Sequence, residues 1–509
     1  MKKIKSTSNT PKSPITLVLA LTFAVMLLVP FGDRMVSSGD DENYFAESTA
    51  IAYLQFPHFG HEYLQDQYAN QRMPYTSLGP GILASPFVFV GSLVDRYENA
   101  SISKQRTASN IFWSWSILGF QIASFFYLLL GALLLYLTLI NWVSEKVAQS
   151  VTLASIFGGG GLLLYVAVRP IMSHAYEFFG ISLVLYLYFK HWKRNQSTRN
   201  GILLSLSLSL LTLVRYNLSI FCIAVLSILI RDVIKTVGVS GRKKIKAIAF
   251  LTAPGLFLFV FWRILPIAIN GYSSADITSR GIVPSLLETI PINELFNRIS
   301  YIVFNPGMGV LFTGTYVLFG IYTFTSTMIS REFKSPFSLC IILAIFVNGF
   351  IIVNWDGFGG FYGYRYLVIS ASPLLSIGFA IWTGKIRSPI RQKAVYIGST
   401  FLPVLSMLYW YSDVKYKANV FTRTDGSQYI DVSHSYNLNT VRDFFTNPIS
   451  IFQYHLNNGV LGAFQRKNFS FLNEHQFTYS VAREILYLIV SGLFIFTALK
   501  IGKTSVEGH

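Results

Sequence analysis

The chain has 509 residues, 52% of them hydrophobic and only 13% charged, a composition too apolar for a soluble multidomain protein of this length. Its net charge of +17 is scattered in short clusters between apolar runs rather than gathered on one domain, which argues against a nucleic-acid partner and for membrane topology. A transmembrane barrel is excluded too, because alternating segments of about ten residues are absent.

Apolar runs that meet the roughly 20 residues needed to cross a bilayer recur from Ile15 to Ile501. In chain order they predict spans near 15–31, 110–140, 147–166, 172–189, 200–214, 216–230, 247–269, 309–329, 337–354, 366–383, 394–411 and 485–501. The expected fold is an all-α polytopic membrane protein with about 12 transmembrane helices. The first run follows Lys2, Lys3, Lys5 and Lys12 and ends at Pro30-Phe31-Gly32 without a small-x-small cleavage site, so an uncleaved span is expected. Cys222 and Cys340 fall inside apolar runs and predict core- or lipid-facing thiols.

With the N-terminus inside, the cytoplasmic pieces are 1–14, 141–146, 190–199, 231–246, 330–336, 384–393 and 500–509. They carry 23 Lys and Arg against four acids, and the rest of the chain carries 18 against 20. This asymmetry predicts a multi-pass protein of the cell (plasma or inner) membrane with both termini cytoplasmic. Three long segments, 32–109, 270–308 and 412–484, then lie outside. The organisation is a core of 1–411 with a large first extracytoplasmic loop at 32–109, a polar extracytoplasmic segment at 412–484, and a last helix with its tail at 485–509. Within the first loop, 76–94 is apolar enough to cross, but Pro80, Pro86, Gly79, Gly81 and Gly91 point to an interfacial helix pair.

Residues able to carry chemistry collect on the predicted outer face. Asp40, Asp41 and Glu42 follow the first span; carboxylates at a low-dielectric boundary can serve as general base or metal ligand, or as the cap of a helix starting near Tyr44. His174 and Glu177, three residues apart, share one helix face as a titratable pair or as hydrogen-bonding glue between helices. Arg215 stands at the turn between two short spans. The stretch Asn354-Trp355-Asp356-Gly357-Phe358-Gly359-Gly360-Phe361-Tyr362-Gly363-Tyr364-Arg365 combines glycines that let a ligand approach the backbone with an arginine suited to phosphate.

In order and sidedness these motifs resemble the C-type glycosyltransferases, multi-span enzymes that use polyprenyl-phosphate sugars and include protein O-mannosyltransferases and aminoarabinose transferases. The resemblance rests on Asp40-Asp41-Glu42-Asn43-Tyr44, Tyr75-Thr76-Ser77-Leu78-Gly79-Pro80-Gly81, Ser173-His174-Ala175, Arg215-Tyr216-Asn217 and Trp355-Asp356-Gly357-Phe358-Gly359-Gly360 leading to Arg365. It implies an inverting hexosyl- or pentosyltransferase whose first-loop acid, Asp40, Asp41 or Glu42, deprotonates an acceptor hydroxyl. Arg365, with Arg215 and His174, would bind the donor phosphate, and Glu177, Tyr75, Trp355, Asp356, Gly359 and Gly360 would line the substrate pocket. The implied partners are a polyprenyl-phosphate-linked sugar, a lipid, glycan or protein acceptor outside the cytoplasm, and membrane lipid. No cofactor is certain; a divalent metal is possible, although the 167–172 region lacks the second aspartate some relatives carry. The competing classes are a secondary transporter or flippase for lipid-linked sugars, and a ligase acting on whole lipid-linked glycans.

Overall fold

Backbone polar groups in an apolar run must be satisfied within the run, and helices accordingly occupy every expected span. The computed structural model describes residues 13–29, 40–56, 77–97, 114–236, 241–264, 268, 299–300, 302–304, 309–333, 335–354, 365–417, 420–422, 428–430 and 474–507. Helices α1 (Ser13–Leu28), α2 (Asp40–Ala52) and α3 (Gly79–Tyr97) precede the long α4 (Trp115–Leu139). They are followed by α5 (Glu145–Phe157), α6 (Leu162–Val168), α7 (His174–Tyr186, widening into a π turn at Leu187–Trp192), α8 (Thr198–Val214) and α9 (Ser219–Thr236). The series continues with α10 (Gly241–Phe259), α11 (Val310–Thr313), α12 (Thr315–Ile329), α13 (Pro336–Asn354), α14 (Arg365–Gly384) and α15 (Pro389–Lys417). Strands β1 (Val420–Thr422) and β2 (Gln428–Ile430) and helix α16 (Glu474–Glu507) complete it.

Trp115–Leu139, Tyr216–Lys235, Leu367–Gly384 and Thr478–Thr497 are each long and apolar enough to cross a membrane. The pair α5–α6 makes a fifth if its two arms, bent by 65°, form one span. Pro14–Leu28, Thr198–Val214, Ile248–Trp262 and Pro336–Phe350 are shorter apolar helices. Peripheral helices expose one apolar face: Ile485, Leu488, Ile489, Leu493 and Phe496 of α16 point outward, while Tyr487, Val490, Ser491 and Phe494 are buried. A helix apolar all round with one face open has lipid as its solvent.

The described residues are helical apart from one short antiparallel ladder in the polar segment, with Val420 opposite Ile430. Its sequence signal is Asp425-Gly426 between two runs of β-favouring residues. One expectation needs correction: the helix pair expected at 76–94 is one continuous helix, α3. Pro80 sits in its first turn, where a missing N–H costs nothing. Pro86 leaves the Ile82 carbonyl without its helical donor, and the Ser85 hydroxyl supplies one at 2.8 Å. The glycines serve close packing instead: a Cβ on Gly91 would lie 2.1 Å from the Trp115 carbonyl oxygen, and one on Gly119 of α4 2.3 Å from that of Phe87.

The α5–α6 break runs through Gly158–Gly161, where Gly160 and Gly161 have φ of +67° and +80°. The elbow packs on α14, because a Cβ on Gly160 would lie 2.8 Å from Val368. The last helix joins the same bundle: Thr22 of α1 and Ser491 of α16 share a hydrogen bond at 2.7 Å, and Tyr487 packs on Phe125 of α4 with centroids 4.5 Å apart.

One end of the bundle gathers the basic connections. Arg194 donates to Asn141 at 2.6 Å, Trp192 to Asp232 at 3.4 Å, Lys193 to Ser335 at 3.4 Å, and Lys385 pairs with Glu332. Burial, then Lys190, Arg194 and Arg199 beside it, holds His191 below the usual imidazole value. Five connections from different parts of the chain thus share one end, and the candidate site lies at the other.

Candidate active site

The site is built where α2, the α6–α7 turn, the end of α8 and the start of α14 meet. Asp41 stands in the first turn of α2 and is fully buried. Its carboxylate Oδ2 accepts from Arg169 Nε at 3.1 Å and from Nη2 at 2.7 Å. Arg169 caps the C-terminus of α6, with its own N–H on the Tyr165 carbonyl at 3.1 Å. Pro170 follows and ends the helix. The Pro170 carbonyl accepts from the Ser124 hydroxyl of α4, so the turn carrying Arg169 is tied at its base.

Four residues beyond that proline, α7 opens on His174, and one turn in stands Glu177. Both side chains are fully buried. Arg215 reaches them from the C-terminal cap of α8, where its extended backbone turns the chain into α9. It donates from Nε to Glu177 Oε2 at 2.7 Å and from Nη2 to His174 Nδ1 at 2.8 Å. Arginine has no acceptor and keeps its protons, so Nδ1 receives this bond and the imidazole proton sits on Nε2. The 3.4 Å approach of Nδ1 to Glu177 Oε2 is then a close contact, and the charge partner of Glu177 is Arg215. The other Glu177 oxygen, Oε1, accepts from the Ser370 hydroxyl of α14. Tyr165 of α6 covers the His174 ring with centroids 4.4 Å apart.

Ser370 lies five residues after Arg365, about 7.5 Å along a helix. The backbone of Arg365 therefore stands at this same end of the bundle, at the start of α14. Asp40 and Glu42 flank Asp41 in α2. Tyr75, Trp355, Asp356, Gly359 and Gly360 lie outside the described residues.

Asp41 and Glu177 are thus each matched by an arginine. Charges leaving water are stable only when paired and hydrogen-bonded, and both pairs meet that requirement. The same pairing bears on a divalent metal. Among the described residues no three His, Cys, Asp or Glu side chains converge as a ligand set. Asp41 Oδ2 is held by a guanidinium, and Glu177 by another guanidinium and a hydroxyl. Among the described residues, these donors do not make a divalent-cation site.

Three residues escaped the sequence reading. Arg169 was visible as an arginine ending an apolar run on the less basic side of the chain, next to a proline. Ser370 had no signal, being one hydroxyl among several in an apolar helix. Asp95, at the end of α3, caps α4 through the amides of Trp115 at 2.8 Å and Ser116 at 2.9 Å, a role legible only once the two helices are in contact.

No family model and no curated protein matches the chain. Among solved structures it is similar to ArnT from Cupriavidus metallidurans in the apo state, at 11% identity over 95% of this chain and 77% of that one, with a TM-score of 0.46. The form bound to undecaprenyl phosphate gives 12% identity over 97% and 77%, with a TM-score of 0.45. The Archaeoglobus fulgidus oligosaccharyltransferase tethered to an acceptor peptide gives 10% identity over 82% of this chain and a TM-score of 0.43, and this chain spans 58% of that protein's length. At these values the functional reading rests on the chain's own residues.

Proposed function

We propose that the chain is a membrane glycosyltransferase that moves a sugar from a polyprenyl-phosphate donor to an extracytoplasmic acceptor hydroxyl with inversion. The reading takes the chain as a bundle of about 12 spans with cytoplasmic termini. The observation that carries it is the meeting of Asp41–Arg169, Glu177–Arg215 and the start of α14 at one end of the bundle, opposite the basic connections.

In this reading Asp41 is the general base. The acceptor O–H gives its proton to the carboxylate as the oxygen attacks the anomeric carbon, and the bond from that carbon to the phosphate oxygen breaks on the opposite face. General-base assistance of this kind contributes about 10²–10⁴-fold. Arg365 takes up the charge developing on the phosphate, and a fixed guanidinium is suited to that because it does not reorganise as the charge appears. Arg215 and His174, engaged with Glu177, hold α7, α8 and α14 in register beneath the sugar. Tyr75, Trp355, Asp356, Gly359 and Gly360 complete the pocket wall.

Purified full-length protein in nanodiscs, offered labelled polyprenyl-phosphate sugars and acceptor extracts, is expected to consume one donor. Asp41→Asn should lose at least about 10²-fold in turnover while retaining donor binding. Full turnover in Asp41→Asn with loss in Asp40→Asn or Glu42→Gln would move the base along α2. A requirement for a pyrophosphate-linked oligosaccharide would make the protein a glycan ligase.

The broken α5–α6 span is a feature also found at transporter midplanes. Here the atoms nearest the elbow glycines belong to Tyr316, Ser372, Ser399, Val368 and the α5 backbone, and the ionisable groups sit at the end of the bundle. That favours the enzyme. Movement of a lipid-linked sugar across proteoliposomes without transfer would favour the transporter instead.

A further inference from the structure

A carboxylate that works beside an anionic lipid phosphate needs a compensating cation, and two sources are available: a bound divalent metal or a protein guanidinium. At Asp41 the second is built into the chain. Arg169 meets Oδ2 with two N–H groups at 3.1 and 2.7 Å, and the Asp41 side chain is fully buried. The Arg169 backbone is held by the Tyr165 carbonyl on one side and, through Pro170, by Ser124 of α4 on the other. The Arg169 carbonyl also accepts from the Met172 N–H at 3.1 Å, closing the turn. The guanidinium is thus delivered by a braced turn.

A divalent ion coordinating Oδ2 would have to sit at about 2.0–2.6 Å from that oxygen. It would share the oxygen with a positive group already at hydrogen-bond distance. Glu177 offers no second ligand, because it is divided between Arg215 on Oε2 and Ser370 on Oε1. His174 directs Nδ1 to Arg215.

We propose that Arg169 is the permanent counter-cation of Asp41, a positioning residue standing where a divalent metal would otherwise bind, so that the carboxylate works without metal. The catalytic half of this rests on Asp41 being the base; the exclusion of metal at Asp41 does not. Because the cation is a side chain of the protein itself, the compensation does not vary with metal supply.

The test uses full-length protein in nanodiscs, stripped with a chelator and titrated with Mn²⁺ under electron paramagnetic resonance, which needs no substrate. Wild type is expected to show no one-to-one Mn²⁺ site. Arg169→Asp, with folding checked by gel filtration, is expected to gain one, and Asp41→Asn in that background to lose it. Where a transferred sugar has been found, chelation should leave wild-type turnover within about twofold, a shift of under roughly 0.5 kcal/mol in activation free energy. A one-to-one Mn²⁺ site in wild type that Asp41→Asn removes overturns the proposal, as does turnover lost on chelation and restored by Mn²⁺. A folded Arg169→Asp protein that binds no Mn²⁺ also overturns it. Should Arg169→Asp not fold, the wild-type titration decides alone. Absence of any sugar transfer would sink the glycosyltransferase reading and leave the Mn²⁺ result standing.

Discussion

Asp41 and Arg169 are 128 positions apart in the chain, yet each is the other's charge partner in a buried setting. A buried pair adds little net stability, but removing one member strands the other, at a cost of about 3–5 kcal/mol. Asp41→Ala should therefore lower the unfolding midpoint in detergent more than Asp41→Leu combined with Arg169→Met, where both charges go together. A double-mutant cycle by thermal unfolding should read a coupling above about 1 kcal/mol; additive effects would mean that the pair is not formed in the folded protein. The residue types were plain in the sequence, since three acids beside an apolar run stand out. Their partners were not, because nothing local distinguishes the arginine that meets Asp41 from one that lies at the membrane interface.

At the scale of elements, two devices shape the bundle: a helix that keeps its prolines and a helix pair bent by 65° at a glycine elbow. Proline and glycine content argued against one continuous helix at 76–94, and the outcome turned on compensation. Ser85 supplies the donor that Pro86 lacks, and the glycines let α3 lie against α2 and α4. At the α5–α6 elbow, the positive φ of Gly160 and its contact with Val368 act together. Gly160→Ala should cost about 2–4 kcal/mol, one part backbone strain and one part overlap. Gly398 of α15 and Gly492 of α16 have nothing within 4 Å of a built Cβ. Gly398→Ala and Gly492→Ala should be neutral, or stabilise by up to about 1 kcal/mol. Equal losses at all three positions would show that the elbow has no special constraint.

For the whole molecule, the distribution of charge predicts sidedness, and the bundle agrees with itself. Connections expected to share the cytoplasm meet at one end through Arg194–Asn141, Lys193–Ser335 and Lys385–Glu332, and the site residues meet at the other. Membrane orientation is open to a direct measurement. In a background with Cys222 and Cys340 replaced by serine, Thr478→Cys, exposed at the start of α16, should react with an impermeant maleimide on intact cells. Ser388→Cys, between α14 and α15, should react only after permeabilisation. The reverse pattern would put the Asp41 pocket in the cytoplasm and remove the reason for a lipid-phosphate donor.

Sequence alone determined that this chain lives in lipid, where most of its helices fall and which connections lie together, because hydropathy and charge act on each segment separately. Tertiary structure alone decided which arginine answers which carboxylate, that α3 survives its prolines, and that α5 and α6 meet at a glycine elbow. Those outcomes depend on distances between groups far apart in the chain: an ion pair, a stand-in donor and a steric gap exist only once the helices have met.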